Sequence, residues 1–152
     1  IPDFGAEDET PFAKERKLIA NLKKAILMTS GAAVQKLMMK IESEQEVLMN
    51  LADMAIQTFN AESVLLRVMK MAAEKGEASI GLYKDIMQTY LYDAADAVNK
   101  AGKDAINSFA EGDEQRMILM GLKRFTKAEP VNVKEARRRI ANKMIEEGRY
   151  CF

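Results

Sequence analysis

The apolar pattern that organises the chain runs from Ser79 to Phe109. Tyr83, Ile86, Met87, Tyr90, Leu91, Ala94, Ala97, Val98, Ala101, Ala105, Ile106 and Phe109 recur at three- and four-residue steps. Lys84, Asp85, Gln88, Asp93, Asp96, Asn99, Lys100, Lys103 and Asp104 fill the positions between them. Such spacing predicts one long helix with an apolar stripe and a charged back. At 1.5 Å per residue it runs about 45 Å. A helix of that length cannot bury its stripe alone, so it needs partner helices.

The rest of the chain supplies them. Thr10-Pro11 reads as a helix start, with threonine able to cap and proline suited to the first turn. The stripe Leu18, Leu22, Ala25, Ile26, Thr29, Ala33, Leu37 and Ile41 carries this first helix to about Lys40. Gly31, within the small patch Ser30 to Ala33, costs about 1 kcal/mol relative to alanine in a helix interior. A close approach of a second helix is the expected compensation. Ser43, with Glu46 three residues on, reads as a capping box, so the second helix follows as an antiparallel neighbour. It carries Val47, Leu48, Leu51, Met54, Ala55, Phe59, Leu65, Leu66 and Met69 and ends at Lys75-Gly76. After the long third helix, Asp113 is placed to cap a fourth, which holds Met117, Ile118, Met120, Leu122 and Phe125 and stops before Pro130. Asn132 and Glu135 form another capping signature for a fifth from Val133 to Glu147. There Val133, Ala136, Ile140, Met144 and Ile145 face inward and Gly148 closes the helix. No segment alternates with period two. The expected fold is all-α, an up-and-down bundle of three long and two short helices over residues 10–148. An acidic linker or arm at 1–9 precedes it and a short tail at 149–152 follows.

Composition narrows this. The 152 residues, 48% of them hydrophobic, suffice for one domain with a real core. Lysine plus arginine balances aspartate plus glutamate, 23 against 23, so no net field calls for nucleic acid. The single cysteine, Cys151, rules out an intrachain disulfide framework and suits a reducing compartment. No apolar run approaches the roughly 20 residues of a membrane span. The chain opens on Ile1 rather than methionine, which suits a processed protein or a piece of a longer one.

The chemistry on offer is sparse. There is no histidine, the usual general base near neutral pH and the commonest metal ligand. Glu42, Asp53 and Glu62 lack the histidine three residues on that a carboxylate-bridged metal site in a bundle uses. No strand feeds a glycine-rich loop, so nucleotide cradles of that kind are not expected. No catalytic, cofactor-binding or metal-binding residue is assigned. The eleven methionines fall mostly on the inward stripes and read as core filler rather than an adaptable surface. Two basic features remain. Lys14, Arg16, Lys17, Lys23 and Lys24 make the first helix a candidate for a membrane or docking surface. Arg137, Arg138 and Arg139 span most of one helix turn, so at least one must meet a bundle carboxylate. Interdomain or intersubunit salt bridges are expected of them rather than nucleic-acid contacts, because no aromatic residues are interleaved.

Several runs are similar to one family. Phe109 to Met117 (FAEGDEQRM), Gly121 to Phe125 (GLKRF), Pro130 to Ala141 (PVNVKEARRRIA) and Arg149 to Phe152 resemble the C-terminal region of a large bacterial subclass of acyl-CoA dehydrogenases. Leu18 to Asn21, Lys23 to Leu27 and Gly31 to Lys36 fit the same region. The resemblance implies a parent flavoprotein with an N-terminal helical domain, a β domain and a helical domain that form the FAD site. It implies oxidation of acyl-CoA to 2-enoyl-CoA, with a glutamate base taking the α proton and FAD a hydride. The base would lie upstream of Ile1. This chain would be an additional C-terminal domain, placed like the extension of the very-long-chain class, which packs on the catalytic body and is linked to membrane association. Its partners would be the remaining domains of the parent, in a homo-oligomer, and its place the cytoplasm, with attachment to the inner membrane periphery as the finer expectation. The competing readings are a membrane-surface module through the first helix and an independent helical adaptor.

Overall fold

The computed structural model describes residues 10–152; the acidic arm expected at 1–9 lies outside them. Five α-helices follow one another: α1 (Ala13–Leu37), α2 (Gln45–Lys75), α3 (Gly81–Phe109), α4 (Gly112–Phe125) and α5 (Val133–Glu147). Short 3₁₀ turns, Met38–Ser43 and Glu77–Ser79, join α1 to α2 and α2 to α3. No strand occurs among the described residues. The short connections make neighbours antiparallel, so the fold is the up-and-down bundle of three long and two short helices that the periodicity predicts.

Helix α3 is the centre, packing against each of the other four helices. Its buried residues therefore exceed one stripe: Thr89, Ala95 and Gly102 join Met87, Leu91, Ala94, Val98, Ala105 and Ile106. The helix is continuous through Gly102, where a missing side chain has a use. A Cβ there would lie 2.7 Å from one methyl of Leu122 and 2.9 Å from the other. That absence lets α4 seat Leu122 fully inside the core. Asn99 donates to the Thr126 hydroxyl at 2.7 Å and Thr126 donates to the Leu122 carbonyl at 2.8 Å, which pins the end of α4 to α3.

Several local expectations give way to packing. Helix α1 begins at Ala13, not at Pro11, because Phe12 adopts a left-handed conformation (φ 62°) that places its ring against the core and under the Lys84 ammonium. It ends at Leu37, where Met38 turns out of the helix (φ 48°). The Ser43 capping box does not form: Ser43 donates back to the Lys40 carbonyl, closing the 3₁₀ turn, and Glu44 caps α2 without a side-chain bond. Glu111, not Asp113, precedes α4; Asp113 sits inside the first turn and pairs with Arg116. The α5 signature does form, with the Asn132 side-chain oxygen accepting from the Glu135 N–H and Gly148 closing the helix at φ 64°.

The inward assignments differ most. Leu48, Phe59, Leu66, Met117, Met120, Met144 and Ile145 were expected inside and are exposed. The methionine expectation fails with them, since six of the eleven are exposed and only Met54 and Met87 are core. Core filling is already achieved by α3 and the inner stripes, so nothing among the described residues covers these side chains.

Candidate docking surface

Helix α2 carries two apolar stripes. The inner one, Val47, Met54, Thr58, Ala61, Leu65 and Val68, is buried against α1 and α3. The outer one, Met49, Ala52, Ile56, Phe59, Ser63 and Leu66, is exposed along its whole length, with Phe59 at 69% and Leu66 at 57%. The one charged residue bordering it between Met49 and Leu66 on the Met49 side is Asp53, one position past Ala52. Asp53 and Asn60 border this face and Glu62 lies on its other side, and among the described residues nothing covers the apolar side chains between them.

Helix α1 adds to the same surface. Lys23 donates to Glu62 at 2.6 Å, which fixes the register of the antiparallel pair. Four residues after Lys23 is Leu27 and three before Glu62 is Phe59, so the two stand at one level of the bundle, both largely exposed. Farther along α1 come Gly31 and Val34, and then Met38 and Met39 in the turn. The helix passes through Gly31 without a break, but the close helix approach expected there does not occur among the described residues: a Cβ on Gly31 would meet nothing within 4 Å. In all, nine large apolar residues on α1, α2 and the turn between them are exposed: Leu27, Val34, Met38, Met39, Leu48, Met49, Ile56, Phe59 and Leu66. Patches of this extent on soluble chains mark interaction sites. Sequence reasoning missed the surface because a side chain at three- or four-residue spacing looks the same whether its partner lies inside the chain or outside it.

The basic residues are placed differently. Lys14, Arg16, Lys17, Lys23 and Lys24 are all exposed. Arg16 and Lys23 share one line of α1, and Lys17 and Lys24 another about 100° round. Lys23 is held by Glu62 and Arg16 donates to the Thr10 hydroxyl at 2.6 Å. Among the described residues no helix is long and apolar enough to cross a membrane. The arginines of α5 meet carboxylates of this chain. Arg137 pairs with Asp93 at 2.7 Å, Arg138 with Glu135, and Arg139 holds Asp85 through two N–H···O bonds of 2.7 Å each. The Arg139 guanidinium is raised above its ordinary range, first by its hydrogen bonds to Asp85. Lys36 on α1 is likewise raised by its hydrogen bond to Glu114 on α4, and Lys143 by its bond to Glu147.

The described residues do not fit a flavin. Pyrophosphates are held at helix N-termini that offer free N–H groups and positive potential. Here α1, α2, α4 and α5 all carry acidic residues in the first turn: Glu15, Glu46, Asp113 with Glu114, and Glu135. Helix α3 has none there, but Glu77 lies before it and pairs with Lys84. An open cleft of about 380 Å³ between α2 and α3 holds two carboxylates, Asp53 and Asp104, and one base, Lys100, which is paired with Asp104. No group of three or more His, Cys, Asp or Glu side chains placed to hold a metal occurs among the described residues. What the geometry offers is a surface for packing.

Comparison with known proteins points to one family. The family model described as "Acyl-CoA dehydrogenase, C-terminal domain" matches residues 21–124. A probable acyl-CoA dehydrogenase of Bacillus subtilis is 29% identical over 137 residues, 90% of this chain and 23% of its own length. The crystal structure of an acyl-CoA dehydrogenase complexed with FAD from Bacillus anthracis superposes with a TM-score of 0.89 at 31% identity, over 97% of this chain and 25% of that one. The chain thus spans about a quarter of the length of the relatives it matches.

Proposed function

The chain belongs to the acyl-CoA dehydrogenase C-terminal domain family, and we propose that it serves a longer FAD-dependent acyl-CoA dehydrogenase as a non-catalytic packing and assembly domain. In this reading the other three quarters of the parent bind FAD and acyl-CoA and oxidise the thioester to 2-enoyl-CoA. The α proton goes to a glutamate outside this chain and the hydride to the flavin. The observation that carries the reading is the exposed apolar face of α1 and α2 in a chain that otherwise satisfies its own core. A domain with no flavin cradle and a large uncovered apolar face contributes by what it packs against.

The test is the parent enzyme with and without this segment, loaded with FAD and mixed with long-chain acyl-CoA under anaerobic conditions. The expected result is that both forms hold flavin and both bleach it, while the shortened form is altered in assembly or solubility. Loss of bleaching from the shortened form alone would make the segment part of the substrate or flavin site. Absence of flavin from both would remove the acyl-CoA dehydrogenase activity from the reading.

A further inference from the structure

Helices α1 and α4 run side by side, and α4 is the shorter. The Met28 sulfur of α1 lies 2.7 Å from where a Cβ on Gly121 would stand, and Lys36 donates to Glu114 at 2.9 Å. These two contacts make the pair antiparallel and set its register, so Phe125, the last residue of α4, stands level with Lys24. Before that level, the face of α1 that Met28 turns to α4 continues as Lys24, Asn21, Lys17 and Lys14, at steps of four, three, four and three residues. No part of α4 is left to cover it. The short helix thus leaves a step in the bundle, about 15 Å long from Lys14 to Lys24, with Arg124 at its edge.

The charge on this step is not answered from within the chain. Lys23, Lys36, Lys84 and the arginines of α5 all meet carboxylates. Lys14, Lys17, Lys24 and Arg124 are exposed and enter no ion pair among the described residues. No acid stands three or four residues from any of them. Glu15, next to Lys14, lies about 100° round the helix, beside Phe12 and Lys84. Glu129, in the connection after α4, is offset by Lys127.

We propose that this step docks an acidic segment of another protein chain. Lys14, Lys17 and Lys24 take carboxylates spread along the segment, and Arg124 takes one from the side with its planar fork. A lone phosphate would engage one or two of these bases and leave the rest of the line unused. Nucleic acid calls for aromatic faces among the bases, and this face has none. A membrane calls for large apolar side chains between the lysines. Here the residues between and after them on this face are Asn21 and Met28, both half-buried, with Met28 engaged on Gly121. The inference goes beyond the packing reading and does not rest on it, because the apolar face of α2 lies on a different flank of α1.

The chain has its own core, so it is tested directly. The probe is a fluorescein-labelled peptide of alternating glutamate and alanine, followed by anisotropy at low salt. Saturable binding is expected, falling steeply as salt is raised. Lys17→Gln and Lys24→Gln each weaken it about two- to fivefold, the range of an exposed ion pair. Lys40→Gln and Arg67→Gln remove bases that are also exposed and unpaired, but lie on the turn after α1 and on α2, and they leave binding unchanged. All four positions are exposed, so folding is not at stake. Absence of binding, or equal losses from all four substitutions, would overturn the proposal. So would tripolyphosphate or phosphatidylglycerol vesicles that bind through Lys17 and Lys24 where the peptide does not, and those results would assign the step to a phosphate ligand or to a membrane. None of these outcomes touches flavin retention by the parent, so this inference and the acyl-CoA dehydrogenase reading fail separately.

Discussion

Gly102 of α3 and Leu122 of α4 occupy one volume. The Cβ that any other residue would bring at position 102 would stand 2.7 Å from a methyl of Leu122, which is itself fully buried and has nowhere to go. Gly31 of α1 is the opposite case, with nothing within 4 Å of its missing Cβ.

These two glycines should respond to alanine with opposite signs. Gly102→Ala gains helix propensity of about 1 kcal/mol but overpacks a filled site, at a cost of typically 1–3 kcal/mol. A net loss is expected, detectable as a lowered midpoint in urea. Combining it with Leu122→Ala should cost less than the sum of the two changes, since each relieves the other. Gly31→Ala should stabilise the chain by about 1 kcal/mol.

The Thr29 hydroxyl is fully buried and has no hydrogen-bond partner among the described residues. Leaving a buried hydroxyl unsatisfied costs about 1–3 kcal/mol. Thr29→Val keeps the branched shape and removes the oxygen, so thermal unfolding should shift upward. An unchanged or lowered midpoint would mean that the hydroxyl has a partner in solution.

Lys36 links α1 to α4 through Glu114 at 2.9 Å and is raised above its ordinary 10.5 mainly by that hydrogen bond. A base raised by folding contributes stability that is fully present below its unfolded value and is lost as the pH climbs through the folded one. The stability difference between wild type and Lys36→Met should therefore hold constant from neutral pH to about pH 9 and shrink above 10.5. A difference that changes near neutrality would contradict the assignment, and the chain has no histidine to supply such a change.

Helix α5 packs chiefly on α3 and buries one residue, Ala136. Its attachment rests on Asn132 at its cap and on Arg137 and Arg139 gripping Asp93 and Asp85. Asp85 is the better partner because its side chain is only 15% exposed and receives both guanidinium bonds. Asp85→Asn should speed amide exchange across Val133–Glu147 and leave α1 to α4 protected. Asn132→Ala should cost about 1 kcal/mol and loosen the same helix from its first turn.

How far the sequence reached depends on the element. For α5 it set the first and last residues, because the Asn132 side chain and the left-handed Gly148 satisfy backbone groups a few positions away and need no tertiary help. At Phe12 a core contact prevailed over a regular start to α1, while Ser43 gave its hydroxyl to the Lys40 carbonyl of an exposed turn instead of to a cap. The docking surface was hidden for another reason. The periodicity of Phe59, Leu66 and Met117 shows that they share a face with other apolar residues, but not what that face meets.

The sequence by itself determined that this chain is five helices in an all-α bundle, that α3 is long and apolar enough to be its axis, and that no histidine-based chemistry is available. These follow from spacing and composition, which act locally or not at all. Only the tertiary structure decided that α2 has an inner and an outer apolar stripe, that Gly102 and not Gly31 is a point of close approach, and that Arg139 and Arg137 of α5 are held by Asp85 and Asp93. Each of those depends on which side of a helix faces a neighbour, and a helix repeats its pattern without regard to what lies beside it.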